Sequence, residues 1–173
     1  TLIFTQRSKP NKNGSKLFNI YKMSLNDKKP TQLTFDSRFR SPVYNEKNNL
    51  ISVISTYDGV SNIYISEIDS INFKKVTNFS NQEYIGSTNW DNLGNLYFDI
   101  IDSHGRDIYF LELETYSIKK ILDNEQDIRN PIYHNENLYF STDFNGIFNI
   151  AYYDNNELRF LTNCYGGSFM PDF

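Results

Sequence analysis

The 173-residue chain has one cysteine, Cys164, so neither an intrachain disulfide nor a thiolate metal cluster can form within it. It has no basic excess either: 17 Lys and Arg stand against 21 Asp and Glu, a net charge of −4. The Lys pairs at 28–29, 74–75 and 119–120 are isolated, as on solvated strand edges. Phosphate-backbone recognition needs several convergent cations, so nucleic acid is excluded as a partner. There is no run of 18 apolar residues and no charged start followed by an apolar core, hence no spanning helix or signal peptide is expected. No segment keeps a helical period, and the acidic stretch 123–127 could form one turn at most. A serine nucleophile would need an elbow such as Gly-x-Ser-x-Gly, and none occurs. The two histidines, His104 and His134, lie far apart beside polar turns without a paired acid, as surface residues do. The acid-rich turns 143–146 and 154–157 lack the alternating oxygen ligands of a calcium loop, and turn chemistry alone accounts for them. Cys164 has no adjacent cation to activate it. The sequence therefore predicts no catalytic residue, no metal and no cofactor.

What is abundant is aromatic. Thirteen Tyr and fourteen Phe, against one Trp and two Met, suit half-buried pleated strands. A pattern of a Gly-containing turn, then Asn or Asp, then Ile, recurs as Asn19-Ile20-Tyr21, Asn62-Ile63-Tyr64, Asp107-Ile108-Tyr109 and Asn149-Ile150-Ala151. The isoleucines 20, 63, 108 and 150 are spaced by 43, 45 and 42 residues. Two other markers keep step. An apolar or apolar-Thr pair follows each Ile, at Leu33-Thr34, Val76-Thr77, Ile121-Leu122 and Leu161-Thr162. An aromatic lies two residues after Pro or its equivalent, at Tyr44, Trp90, Tyr133 and Phe173.

Within one period the pattern is strand, turn, strand, turn, twice over. The second unit reads as strands at 41–44, 50–56, 62–68 and 73–79, with Asp58-Gly59 as the hairpin turn. The third and fourth units give strands at 95–101, 106–114 and 118–123, then 138–143, 148–154 and 158–163. The first gives 2–6, 17–25 and 31–35.

A four-stranded unit of this size cannot bury its own apolar faces and must lay them against copies of itself. A period of about 40–45 residues with four strands is the spacing of propeller blades. The fold class is therefore all-β: a β-propeller of about four four-stranded antiparallel blades, in units at 1–40, 41–85, 86–128 and 129–167. Residues 168–173 read as the first strand of a further or closing blade. The abrupt ends favour part of a six- to eight-bladed ring over a four-bladed ring closed by its termini.

At these residues the repeat resembles the TolB-like propeller family, whose units run Pro-x-aromatic-Ser-Pro-Asp-Gly, an apolar strand, Asp-Gly-x-x-Asn-Ile-Tyr and a closing Leu-Thr. The best matches are Asp58-Gly59 through Tyr64 and Leu161-Thr162; the Ser-Pro-Asp-Gly turn is replaced by the sequences at 45–48, 91–94 and 134–137. The resemblance implies a protein-binding or scaffold role, often periplasmic or at the cell surface. It also implies an alternative, the accessory gating propeller of a prolyl-oligopeptidase-like serine peptidase whose catalytic domain lies outside this chain. A third reading is a structural blade set within a multi-domain surface protein.

The loops leading from a fourth strand to the next first strand, at 36–40, 78–85, 124–129 and 163–167, should gather at one rim. They carry Phe39, Arg40, Tyr84, Arg129 and Tyr165, side-chain types over-represented at binding hot spots. These five are the candidate contacts for a protein or peptide.

Overall fold

Asp58 and Gly59 have positive φ angles of 49° and 82°, the geometry of a two-residue type I′ turn. The strands that they join, β5 (Leu50–Tyr57) and β6 (Val60–Glu67), accordingly pair without a slip from Tyr57↔Val60 to Leu50↔Glu67. This hairpin is the centre of one of four antiparallel sheets in the computed structural model, which describes residues 1–26, 29–123, 125–155 and 157–173. The first sheet holds β1 (Leu2–Arg7), β2 (Phe18–Met23) and β3 (Pro30–Gln32). The second adds β4 (Phe39–Asn45) and β7 (Lys74–Lys75) to the hairpin. The third is β8 (Tyr84–Trp90), β9 (Leu96–Asp102), β10 (Gly105–Glu112) and β11 (Ser117–Leu122). The fourth is β12 (Ile128–His134), β13 (Asn137–Thr142), β14 (Asn149–Asp154) and β15 (Glu157–Phe160). Strand order within each sheet follows the chain, and no helix occurs among the described residues. Lys28 of the first Lys pair, Asn124 of the third loop and Asn156 of the second acid-rich turn lie outside them.

The chain forms two compact units, residues 1–81 with the first two sheets and 82–173 with the last two. In the first, Ile20 packs with Ile51, Val53 and Ile68, so the core joins neighbouring sheets. In the second, Ile108 packs with Ile128, Phe140 and Ala151 in the same way. Each sheet hides a neighbour's apolar face, the physical reason for repeating it.

The Asn-Ile and apolar-Thr markers prove to be one hydrogen-bonded clamp. In the second sheet the Ile63 N–H donates to Thr77 Oγ1 at 2.9 Å, and that hydroxyl donates to Asn62 Oδ1 at 2.9 Å. Asn62 Oδ1 also accepts the Phe79 N–H at 2.9 Å. The fourth sheet repeats this with Ile150, Thr162, Asn149 and Cys164. In the first, Ile20 donates to Thr34 and Ser37 donates to Asn19. The third sheet departs, with Asp107 for Asn and Leu122 for Thr. There Lys120 Nζ reaches Asp107 Oδ2 at 3.0 Å instead, and Asp107 Oδ1 is buried without a hydrogen bond.

The clamp also shortens the last strand of a sheet. The stretches 31–35, 73–79 and 158–163 were expected to be strands, but β3, β7 and β15 cover only Pro30–Gln32, Lys74–Lys75 and Glu157–Phe160. A threonine hydroxyl takes the amide of Ile20, Ile63 or Ile150, and the ladder stops there. Thr77→Val keeps the shape and removes the hydroxyl from under the buried Ile63 amide. It is expected to lower stability by about 1.5 kcal/mol in a urea titration.

The Pro-x-aromatic marker is a β-bulge. Pairing slips between Arg40 and Val43 and between Arg129 and Ile132, where Pro42 and Pro131 stand; proline lacks the N–H that an unbroken ladder would need. The residues before these prolines, Ser41 and Asn130, have φ of 50° and 54°. Residues 168–173, expected to be a strand, pair with none among the described residues. They lie against the fourth sheet much as β12 lies against the third. Met170 N–H donates to Ser141 Oγ and the Phe173 ring sits 4.7 Å from that of Tyr139; Asn130 N–H donates to Asp99 and Tyr133 stacks on Tyr97.

Candidate functional site

The five expected contact residues fall in both units, and each unit places its own. In the first, Phe39 and Arg40 open β4 and belong to the ladder, opposite Ser55 and Ile54, so they are strand rather than loop residues. The Phe39 ring is half-buried, 5.4 Å from Tyr64 and 4.6 Å from Phe73. It anchors the sheet.

In the second unit Tyr84 opens β8 opposite Ile101 and is 40% exposed. Arg129 is the second residue of β12, opposite Ser141. Its guanidinium donates to Asp127 through Nε at 3.0 Å and also through a terminal nitrogen. The same guanidinium carbon lies 4.1 Å above the centroid of Phe148. Asp127 is fixed in turn, since its N–H donates to Asp143 Oδ1 at 3.0 Å. Tyr165 is fully exposed, in a turn closed by Gly167 N–H on the Cys164 carbonyl. That turn hangs from the start of β14: Cys164 N–H donates to Asn149, and Ser168 N–H donates to the Phe148 carbonyl at 2.7 Å. Arg129 and the turn that carries Tyr165 are thus brought to one end of the fourth sheet.

Two cross-links set β8 beside β12. Ser87 and Asn130 both donate their N–H to Asp99 Oδ1, at 3.1 and 3.3 Å, and Tyr133 N–H donates to Asn89 at 3.4 Å. The two strands therefore run side by side with their starts level. Tyr84 shares this edge with Arg129.

Asp99 is the most confined charge in the unit, its side chain 1% exposed. The Ser87 hydroxyl also bonds Oδ1, while Oδ2 lies 3.5 Å from Arg106 Nε with no hydrogen bond between them. A Cβ on Gly86 would come within 2.2 Å of Oδ2, so any side chain there would have to displace the Asp99 carboxylate. Burial pushes the Asp99 carboxyl up from its ordinary range, although the Ser87 hydroxyl, Arg106 and the Ser87 and Asn130 amides pull it down. Asp99 is not among the candidate residues of the sequence, yet its signal is there: a carboxylate amid Tyr97-Phe98 and Ile100-Ile101 has to be paired or bonded.

Among the described residues no group of three His, Cys, Asp or Glu side chains could hold a metal ion. His104 is exposed in its turn, its Nδ1 3.6 Å from Asp102. His134 is not a free turn residue. It ends β12 and its ring stacks on Phe173 at 4.6 Å, because residues 168–173 fold back over it. Cys164 is a free, exposed thiol.

No protein-family model and no curated protein matches the sequence. Solved structures do match in shape. TolB of Agrobacterium tumefaciens superimposes with a TM-score of 0.77 at 18% identity over 98% of this chain and 65% of its own. TolB of Acinetobacter baumannii gives 0.74 at 19% identity over 96% of this chain and 42% of its own. The β-propeller domain of the Trilobed protease of Pyrococcus furiosus gives 0.66 at 15% identity, over 98% of this chain and 51% of that one. The chain thus spans less than two thirds of each of these structures. No helix is long and apolar enough to cross a membrane among the described residues. Four consecutive antiparallel sheets, with a core that joins neighbouring sheets within each unit, and these superpositions lead to one conclusion: the chain has a TolB-like β-propeller fold.

Proposed function

We propose that the chain is a non-catalytic binding or scaffold propeller whose strand-start edges receive a protein or peptide. The observation that carries this reading is the preset Arg129. Its guanidinium is oriented by Asp127 and by the Phe148 face, beside the fully exposed Tyr165 and on the same edge as Tyr84. An arginine held in place loses little freedom on binding, and exposed tyrosines beside it add contact area, as hot spots need. Phe39 and Arg40 occupy the matching strand start in the first unit. The resemblance to TolB-like repeats supports export to the periplasm or cell surface.

Peptides selected from a random library against the 173-residue chain test this. Arg129→Ala and Tyr165→Ala should each weaken the selected peptides by about tenfold or more, the fully exposed Tyr165 with an unchanged melting temperature. Peptides indifferent to both changes would refute the proposal.

The likeness to the Trilobed protease domain favours a second reading, the accessory propeller of a serine peptidase. An α/β-hydrolase segment in the full-length gene would select it.

A further inference from the structure

At the opposite end of β12 from Arg129, the third and fourth sheets leave a cleft of about 400 Å³. That volume is in the range of small-ligand sites. Tyr97, Tyr133 and Tyr153 contribute phenol rings to its lining, Leu122 and Leu138 apolar surface, and Glu136 a carboxylate. None of the lining residues is basic. The nearby Lys120 is already committed to Asp107 at 3.0 Å and Asp123 at 3.4 Å.

The walls are built rather than incidental. Tyr97 and Tyr133 stack with centroids 5.3 Å apart and 6° between their planes, and Phe110 backs Tyr97 at 5.1 Å. Asn135 and Glu136 form the two-residue turn between β12 and β13, with φ of 45° and 65° and His134 paired to Asn137 across it. The carboxylate is thereby carried on a fixed backbone at the cleft. Burial, with the charge of Asp91 and the neighbouring Tyr133, pushes the Tyr97 phenol up to about 12. It stays a neutral ring at physiological pH.

We propose that this cleft binds an alkylammonium group. Ring faces carry negative potential and attract a cation that is cheap to desolvate, and quaternary ammonium ions are bound by aromatic cages on this principle. A carboxylate beside the rings, with no competing cation in the lining, adds charge complementarity. The site lies apart from the Arg129 edge and does not rest on the function proposed there.

Choline is the probe, titrated by NMR against the 173-residue chain, with 3,3-dimethylbutan-1-ol as its uncharged isostere. Saturable choline binding is expected, with the isostere about tenfold weaker or worse. Glu136→Gln and Tyr153→Leu should each weaken choline by about fivefold or more, while Arg129→Ala leaves it unchanged. Equal binding of the isostere would overturn the proposal, as would the absence of saturable choline binding in the millimolar range. Choline binding that ignores Glu136→Gln would do the same, since that exposed turn residue can be changed without touching the core.

Discussion

Asn62→Ala is expected to lower the stability of the chain by about 3 kcal/mol, read as a shift in urea midpoint at constant slope. The side chain is buried, and its one oxygen accepts two hydrogens, from the Thr77 hydroxyl and the Phe79 amide. Its Nδ2 donates to the Phe79 carbonyl at 3.2 Å. Alanine removes all three bonds and restores none. Each buried polar group left unpaired costs about 1–3 kcal/mol, and Phe79, being only partly buried, recovers some of its share from water. A loss below about 1 kcal/mol would mean that the clamp is ornamental.

The third sheet supplies a built-in comparison. There Asp107 takes the place of Asn62, and Lys120 answers it from the register position opposite Tyr109. In the second sheet Lys75 stands opposite Tyr64, the same register position. Asn62→Asp therefore keeps the acceptor oxygen and gains a lysine able to swing over it. The expected loss is about 1 kcal/mol, well below that for alanine.

Much of the fold was legible because the deciding interactions are local. A two-residue Asp58-Gly59 turn fixes the register of its hairpin, whereas the bulges at prolines 42 and 131 show in the sequence only as a repeated marker. The Asn and Thr markers were visible as spacing, but their bond to one another crosses strands and was not. For that reason the last strands were read too long. The candidate edge was partly legible. Tyr165 lies in a turn, as its sequence predicts, whereas Phe39, Arg40, Tyr84 and Arg129, which the repeat pattern places in loops, lie in strands. At the bulge of β12, Asn130 reaches Asp99 in the neighbouring sheet, a contact that no local pattern announces. Phe148 and Asp127, which orient Arg129, and the cleft at Glu136 were missed for the same reason. Their members meet only after the sheets pack.

Asp99→Ala should be the most damaging single change, at about 3–5 kcal/mol, because it strands Arg106, whose side chain is mostly buried, and leaves Ser87 and the Asn130 amide without their acceptor. Asp99→Asn separates shape from charge, and its pH dependence reads the carboxyl directly. Burial raises the folded-state pKa of Asp99 above the unfolded value. Between those two values the folded chain holds a proton that the unfolded chain has released, so wild-type stability falls as pH rises through the window and levels off above it. Asparagine has no such proton. The advantage of wild type over Asp99→Asn should accordingly be greatest in acid and shrink as pH climbs from the ordinary carboxylate range. Other carboxylates titrate equally in both proteins and cancel from the difference, leaving only the sign to measure by urea titration at a series of pH values. If the wild-type advantage grows with pH instead, the guanidinium of Arg106 and the amides of Ser87 and Asn130 outweigh desolvation at Asp99, and the carboxylate is a net cement between the third and fourth sheets rather than a strain that they tolerate.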